Sequence, residues 1–255
     1  MDNLSVYVLL AFSLLAHQVC WYMIAIIRKR NDVADVAWGL GFVLLSWLAF
    51  TLGNGSERAL VANTLVTVWG LRLAIHISIR NKGKAEDFRY AQWRKEWKHF
   101  FLRSFLQVFF LQGLFLFVIV WPVLWINLIT PRAWQWWDVA GIVVWGIGFL
   151  FESVGDYQLT QFKKNPAHKG KIITTGLWRY SRHPNYFGEA VQWWGLFLMA
   201  CSVGGWMTIT GPLLLTYLLR YVSGVPMLER KYAGQPAFEE YKRKTSAFIP
   251  LPPRS

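Results

Sequence analysis

The residues best suited to chemistry lie in one stretch, TGLWRYSRHPNYFGEAVQWW, from Thr175 to Trp194. Pro184 has no N–H and a fixed φ, so it breaks the preceding chain and favours the first turn of a helix beginning near Tyr186. Arg179, Arg182 and His183 come just before that start, and Asn185 is placed to cap it. Cationic donors beside a helix N-terminus form a clamp for an anionic group such as phosphate or carboxylate. Gly188 lets a ligand or a neighbouring helix approach the backbone. A basic turn resting on lipid headgroups would explain the cations, but not the His-Pro-Asn-Tyr and Gly-Glu that follow them.

A second group of ionisable residues sits inside apolar runs. Glu152 and Asp156 are four apart and share a helix face, and Arg72 and His76 repeat that spacing. Asp35 opens another apolar run, and Glu189 lies one turn beyond Pro184. Each is expensive in hydrocarbon and is therefore a functional candidate. Mutual pairing that merely joins helices is the bland alternative. Six such groups at one depth favour a polar cavity open to the basic side of a membrane. A proton or ion path would use the same residue types, so transport stays open.

The elements that must position these groups follow from composition. Of the 255 residues 55% are hydrophobic, 17% aromatic and only 16% charged, against about 25% charged in soluble chains. Apolar runs long enough to cross about 30 Å of hydrocarbon cover 4–27, 34–52, 59–79, 105–126, 139–159, 186–203 and 207–222. The expected fold is all-α: a polytopic membrane protein with a bundle of seven transmembrane helices, one domain over 1–255. Of the 27 lysines and arginines, all but Arg58, Arg72 and Arg132 fall in segments after the first, third, fifth and seventh runs. The positive-inside rule then puts the N-terminus outside and the C-terminus and long loops in the cytoplasm. The net charge of +13 is read as topology and attraction to anionic membrane lipid, not nucleic acid binding. Cys20 and Cys201 lie apart in apolar runs and form no metal motif.

RHPNYFGE at 182–189 resembles the signature of the steroid 5-alpha-reductase-like membrane proteins, including bacterial members known as a domain of unknown function. The resemblance extends to DVADVAWGLGF at 32–42, RNKGKAEDFRYAQWR at 80–94, GDYQLTQFKK at 155–164 and KYAGQPAFEEYKRKTSAFIP at 231–250. It implies an NADPH-dependent oxidoreductase that reduces the carbon-carbon double bond of a steroid or similar lipophilic enone, with cytoplasmic loops covering the cofactor. By the same resemblance Asp156, Lys163, Asn185, Glu189, Arg220 and Tyr241 are cofactor residues. Arg89, Tyr90, Arg179, Arg182, His183 and Tyr186 join them on chemistry and motif position. Eukaryotic steroid reductases use a Gln-Glu pair and a Tyr near the substrate ketone. The approximate counterparts here are Ala34-Asp35 and His76, which makes Asp35 and His76 the catalytic candidates and departs from the steroid donor set. Trp38 and Glu152 are the candidates for substrate contact.

A related RHPxYxG signature occurs in isoprenylcysteine and phospholipid methyltransferases. In that reading the basic turn holds the carboxylate of S-adenosylmethionine, and Glu229 or Glu239 its ribose. A lipid-binding membrane protein without turnover is the third reading. The expected location is a bacterial inner membrane, or the endoplasmic reticulum of a eukaryote, with no metal and with the oligomeric state left open, a monomer included.

Overall fold

The computed structural model describes residues 3–254. Among these every regular element is a helix, and the one extended pairing is a bridge between Ser181 and Ser246. The chain divides into two compact units, Met1–Trp134 with Ala200–Thr208, and Gln135–Met199 with Ile209–Ser255.

The first unit holds α1 (Asn3–Arg28), α2 (Val33–Leu52), α3 (Glu57–Asn81), α4 (Phe88–Glu96), α5 (Phe100–Ile119) and α6 (Trp121–Leu128). Ser56 caps α3 by accepting from the Ala59 N–H at 3.3 Å, and Asp87 caps α4 through the Arg89 N–H at 3.0 Å. The backbones of α2 and α3 meet at Gly39 and Gly70. A Cβ on Gly39 would lie 2.6 Å from the Gly70 carbonyl oxygen, so neither position has room for a side chain. Phe42, Leu45 and Trp69 fill the core beside this crossing. The expected single span over 105–126 is instead two helices. Pro122 cannot donate to the carbonyl of Val118 and its ring would collide with it, so α5 stops and α6 restarts with Pro122 in its first turn.

The second unit holds α7 (Trp136–Lys164), α8 (Pro184–Cys201), α9 (Thr210–Tyr217), α10 (Val225–Glu229) and α11 (Pro236–Lys244). Helix α9 is preceded by a 3-10 turn, Trp206–Ile209, and continues as a π turn, Leu218–Val222. Gly141, Gly148 and Gly155 recur every seven residues along α7 and so form one stripe. Facing them on antiparallel α8 are Gly195, Gly188 and Asn185: Cβ atoms on Gly141 and Gly148 would lie 2.5 and 2.6 Å from the Gly195 and Gly188 carbonyl oxygens. Small residues let two helices touch backbone to backbone, the usual substitute inside a membrane for hydrophobic association.

Among the described residues five helices are long and apolar enough to cross a membrane: α1, α2, α3, α5 and α7. Large exposed apolar side chains such as Phe12, Ile27, Ile75, Ile79, Val143 and Leu150 suit surfaces that meet hydrocarbon rather than water. Of the other two expected spans, α8 has 18 residues and carries Glu189 and Gln192, and 207–222 is helical in three differently wound pieces.

Candidate functional site

In the second unit the glycine stripe brings the polar residues of α7 and α8 together. Asp156 accepts from Asn185 Nδ2 at 3.0 Å, and Glu152 accepts from Gln192 Nε2 at 2.5 Å. Glu152, Asp156, Glu189 and Gln192 are all buried. Asn185 Oδ1 and Gln192 Oε1 are buried with no hydrogen-bond partner, an expensive condition for an acceptor. Two amides thus have their N–H ends tied to carboxylates and their oxygens open.

The turn before α8 is held by the returning C-terminal segment. Arg182 donates twice to Glu229, from Nε at 2.8 Å and Nη2 at 3.2 Å, and from Nη1 to the carbonyls of Thr245 at 2.5 Å and Lys242 at 3.4 Å. His183 Nε2 meets Glu229 Oε1 at 3.1 Å, and since an ionised carboxylate only accepts, the ring donates from that nitrogen. The His183 ring stacks on Tyr186 with centroids 5.6 Å apart. Burial alone would raise the Glu229 carboxyl, but hydrogen bonds from His183 and Arg182 outweigh it and bring the group down to about 2. Burial pushes the His183 imidazole below its ordinary value, against the pull of Glu229. Tyr241 donates to the Trp178 carbonyl, and burial raises its hydroxyl.

Lys163 and Arg179 are exposed. Arg220 lies over the Tyr221 ring at 4.9 Å and lines a groove of about 470 Å³ with Phe187, Val191, Trp194, Thr216 and Phe248.

The first unit carries a separate network. Asp35 of α2 accepts from the Tyr90 hydroxyl at 2.7 Å and from Arg89 Nη2 at 3.1 Å, with Arg80 4.0 Å away. Arg89 also donates to Asp87, at 2.9 Å. Asp32 takes a bidentate bond from Arg30 at 2.7 and 2.6 Å, and Glu86 takes one from Arg94 at 3.0 and 2.9 Å. Burial and the neighbouring Asp35 carboxylate raise Tyr90 well above an ordinary phenol, so its hydroxyl keeps its proton. The Arg89 guanidinium is held charged by Asp35 and Asp87 despite burial. His76 is half-buried on α3 and Trp38 packs edge-on against Phe42 at 5.0 Å.

Of the sequence-derived candidates, the structure therefore joins Asp35, Arg89 and Tyr90 in one network. It joins Asp156 with Asn185, Glu152 with Gln192, and Arg182 with His183. Participants not anticipated in these roles include Gln192, Asp32, Asp87 as a partner of Arg89, and Glu229 as the partner of Arg182. The i, i+7 relation of Asn185 to Gln192, matching the heptad of glycines on α7, is the sequence signal that marks the first.

A family model described as a protein of unknown function (DUF1295) matches residues 21–245. Among curated relatives, 3-oxo-5-alpha-steroid 4-dehydrogenase 1 of Bos taurus is 39% identical over 27% of this chain and 26% of its own length. The steroid 5-alpha-reductase DET2 of Arabidopsis thaliana is 38% identical over 28% of each chain. A probable O-methyltransferase of Ustilaginoidea virens is 40% identical over 23% of this chain and 20% of its own. The matched segments thus span about a quarter of these relatives. No solved structure matches.

Proposed function

We propose, on the premise that this chain belongs to the DUF1295 family of steroid 5-alpha-reductase-like proteins, that it is an NADPH-dependent membrane reductase of a lipophilic enone. The family and the five apolar helices make it an integral membrane protein. The seven-span topology is part of the proposal, with the N-terminus outside, the C-terminus cytoplasmic and 1–255 acting as one catalytic domain. A reporter fused after Ser255 and active only on the far side of the membrane would refute that topology.

The observation that carries the reading is the buried, unpartnered Asn185 Oδ1. Its amide is oriented by Asp156, so the oxygen is presented to a donor, and the carboxamide N–H of a nicotinamide is such a donor. Glu189, one turn on, is the proposed companion. Lys163, Arg179 and Arg220 supply the positive charge that a pyrophosphate and a 2′-phosphate require, while Tyr186 and Tyr241 shape the surrounding surface. When bound, NADPH supplies the hydride for a double bond conjugated to a ketone.

The chain's own part is to manage the charge that develops on the ketone oxygen. A donor fixed there in a dry site lowers the barrier far more than the same donor in water. Asp35 and His76 are the proposed catalytic pair. Because Asp35 accepts from Arg89 and from the single Tyr90 O–H, its part is to position those two groups, and His76 is the proposed donor to the ketone oxygen. Trp38 and Glu152 are proposed to contact the substrate.

The U. virens match favours one alternative, a methyltransferase. That reading needs Glu229 or Glu239 for a ribose; Glu229 is already held by Arg182 and His183, whereas Glu239 is exposed and paired with Lys242 at 3.3 Å. The test is thermal melting of the purified protein with NADPH or with S-adenosylmethionine. A ligand at 100 times its Kd adds about 2.7 kcal/mol, so NADPH should raise Tm by several degrees. A rise with S-adenosylmethionine alone would replace the reductase reading with the methyltransferase one, and no rise with either would favour a lipid-binding protein.

A further inference from the structure

We infer that Arg182 and Glu229 form a latch that fastens a C-terminal strap, residues 229–254, to the head of α8, and that both are positioning residues rather than ligands of phosphate. The inference rests on the reading of Asn185 as a cofactor contact, and it changes what the basic turn is for.

A guanidinium has five N–H donors, and Arg182 spends four bonds inside the protein, on the Glu229 carboxylate and on the carbonyls of Thr245 and Lys242. The side chain is 9% exposed and Glu229 is 15% exposed. A phosphate approaching Arg182 would have to displace a carboxylate already engaged bidentately and then lie beside its negative charge. Arg179, one turn of chain earlier, is exposed and suits phosphate better.

The remaining contacts are those of a strap. The Arg182 N–H donates to the Ser246 carbonyl at 2.8 Å, Ser181 Oγ to the Phe248 carbonyl at 2.8 Å, and the Leu251 N–H to the Tyr180 carbonyl at 3.0 Å. Tyr241 donates to the Trp178 carbonyl and Thr245 Oγ to that of Arg179 at 3.4 Å. Every residue from Trp178 to Arg182 is thus tied to the strap. His183 joins through Glu229. Pro184 then opens α8 and Asn185 follows directly, so the strap fixes where the Asn185 amide points. Among these ties Arg182 grips two parts of the strap at once, its start at Glu229 and its middle at Lys242, Thr245 and Ser246.

The full-length protein in detergent tests this with Arg182→Met, Glu229→Gln and the double variant. The first readout uses no cofactor: trypsin cleavage after the exposed Lys242, Arg243 and Lys244, followed by mass spectrometry. Each single variant should speed cleavage about tenfold, and the double variant should be no faster than the quicker single, because one broken latch cannot be broken twice. The second readout is the Kd for NADPH and for NADH, which differ by the 2′-phosphate. A latch predicts that both weaken together and their ratio stays at the parental value. Loss of NADPH affinity alone in Arg182→Met would make Arg182 a phosphate ligand and overturn the inference, as would parental cleavage rates in both single variants. Should Arg182→Met fail to fold, Glu229→Gln, which keeps shape and an acceptor, decides on the same two readouts. If the parental protein binds neither nucleotide, the reductase reading falls while the cleavage result still decides the latch.

Discussion

The two polar networks of the molecule are built in opposite ways. In the first unit several ionic partners are close in sequence: Arg30 with Asp32 and Arg89 with Asp87 are two apart, and Arg94 with Glu86 eight apart, while Arg89 also makes a long reach back to Asp35. This loop largely neutralises itself and then docks on α2 through Asp32 and Asp35. In the second unit Arg182 reaches 47 residues to Glu229 and 63 to Thr245, and Ser181 reaches 67 to Phe248. That network exists only once the C-terminal segment has come back. It also stands beside the open oxygens of Asn185 and Gln192, whereas the carboxylates of the first network have partners. A self-satisfied cluster is suited to holding one acid in place, and a cluster with open acceptors is suited to a ligand.

The largest expected effect breaks the scaffold of the second unit. Gly188→Leu puts a side chain against the backbone of Gly148 and Glu152, and should cost about 3 kcal/mol, the upper end for overpacking, read as a lower Tm in detergent. A parental Tm would mean that α7 and α8 do not touch there. Next come Asp35→Leu and His76→Phe, which should each slow reduction of a steroid enone such as progesterone by about 10²- to 10³-fold with NADPH affinity kept. Parental turnover in both would reduce them to helix-packing groups.

Asn185→Ala sharpens the contrast from the other side. It should weaken NADPH about tenfold, the worth of one hydrogen bond, and leave the fold intact. Acid gives a fourth expectation. The Glu229 carboxyl sits at about 2 when folded, below its ordinary 4.5, so its contribution is complete above pH 4.5 and disappears as pH falls toward 2. A melting series over that window should therefore fall more steeply for the parental protein than for Glu229→Gln; parallel curves would deny the strong pairing. The smallest effect is at Gly146, on α7 but off the stripe, where a Cβ meets nothing within 4 Å. Gly146→Ala should raise stability by up to about 1 kcal/mol, the helix-propensity difference.

Much of the fold was legible in the sequence because hydrocarbon enforces simple rules: long apolar runs became α1, α2, α3, α5 and α7. The break between α5 and α6 was missed: Pro122 causes it, but the uninterrupted apolar composition reads as one span. At the site, Pro184 announces the start of α8 by local chemistry, but Asn185 does not cap it as its position suggests: the helix already begins at Pro184, and the Asn185 side chain turns to Asp156 with its Oδ1 unpartnered. The partners of Asp35 and Arg182 were not legible, since Arg89 lies 54 residues from Asp35 and Glu229 47 from Arg182, and no periodicity links them. A cation in a motif is visible in a sequence; the carboxylate that occupies it is a product of tertiary structure.

The π turn at Leu218–Val222, closed by the Ser223 N–H on the Leu218 carbonyl at 2.8 Å, has a consequence for how such chains vary in length. A π turn holds one residue more than the α turn it replaces, so this stretch tolerates a one-residue deletion without losing its helix. The cost falls on register, because each residue of an α-helix turns the next by about 100°. A homologue shorter by one here would keep an unbroken helix while its Arg220 counterpart swung off the groove wall. Gap placement in this turn, more than identity around it, is what would separate relatives that keep this groove from those that have re-aimed it.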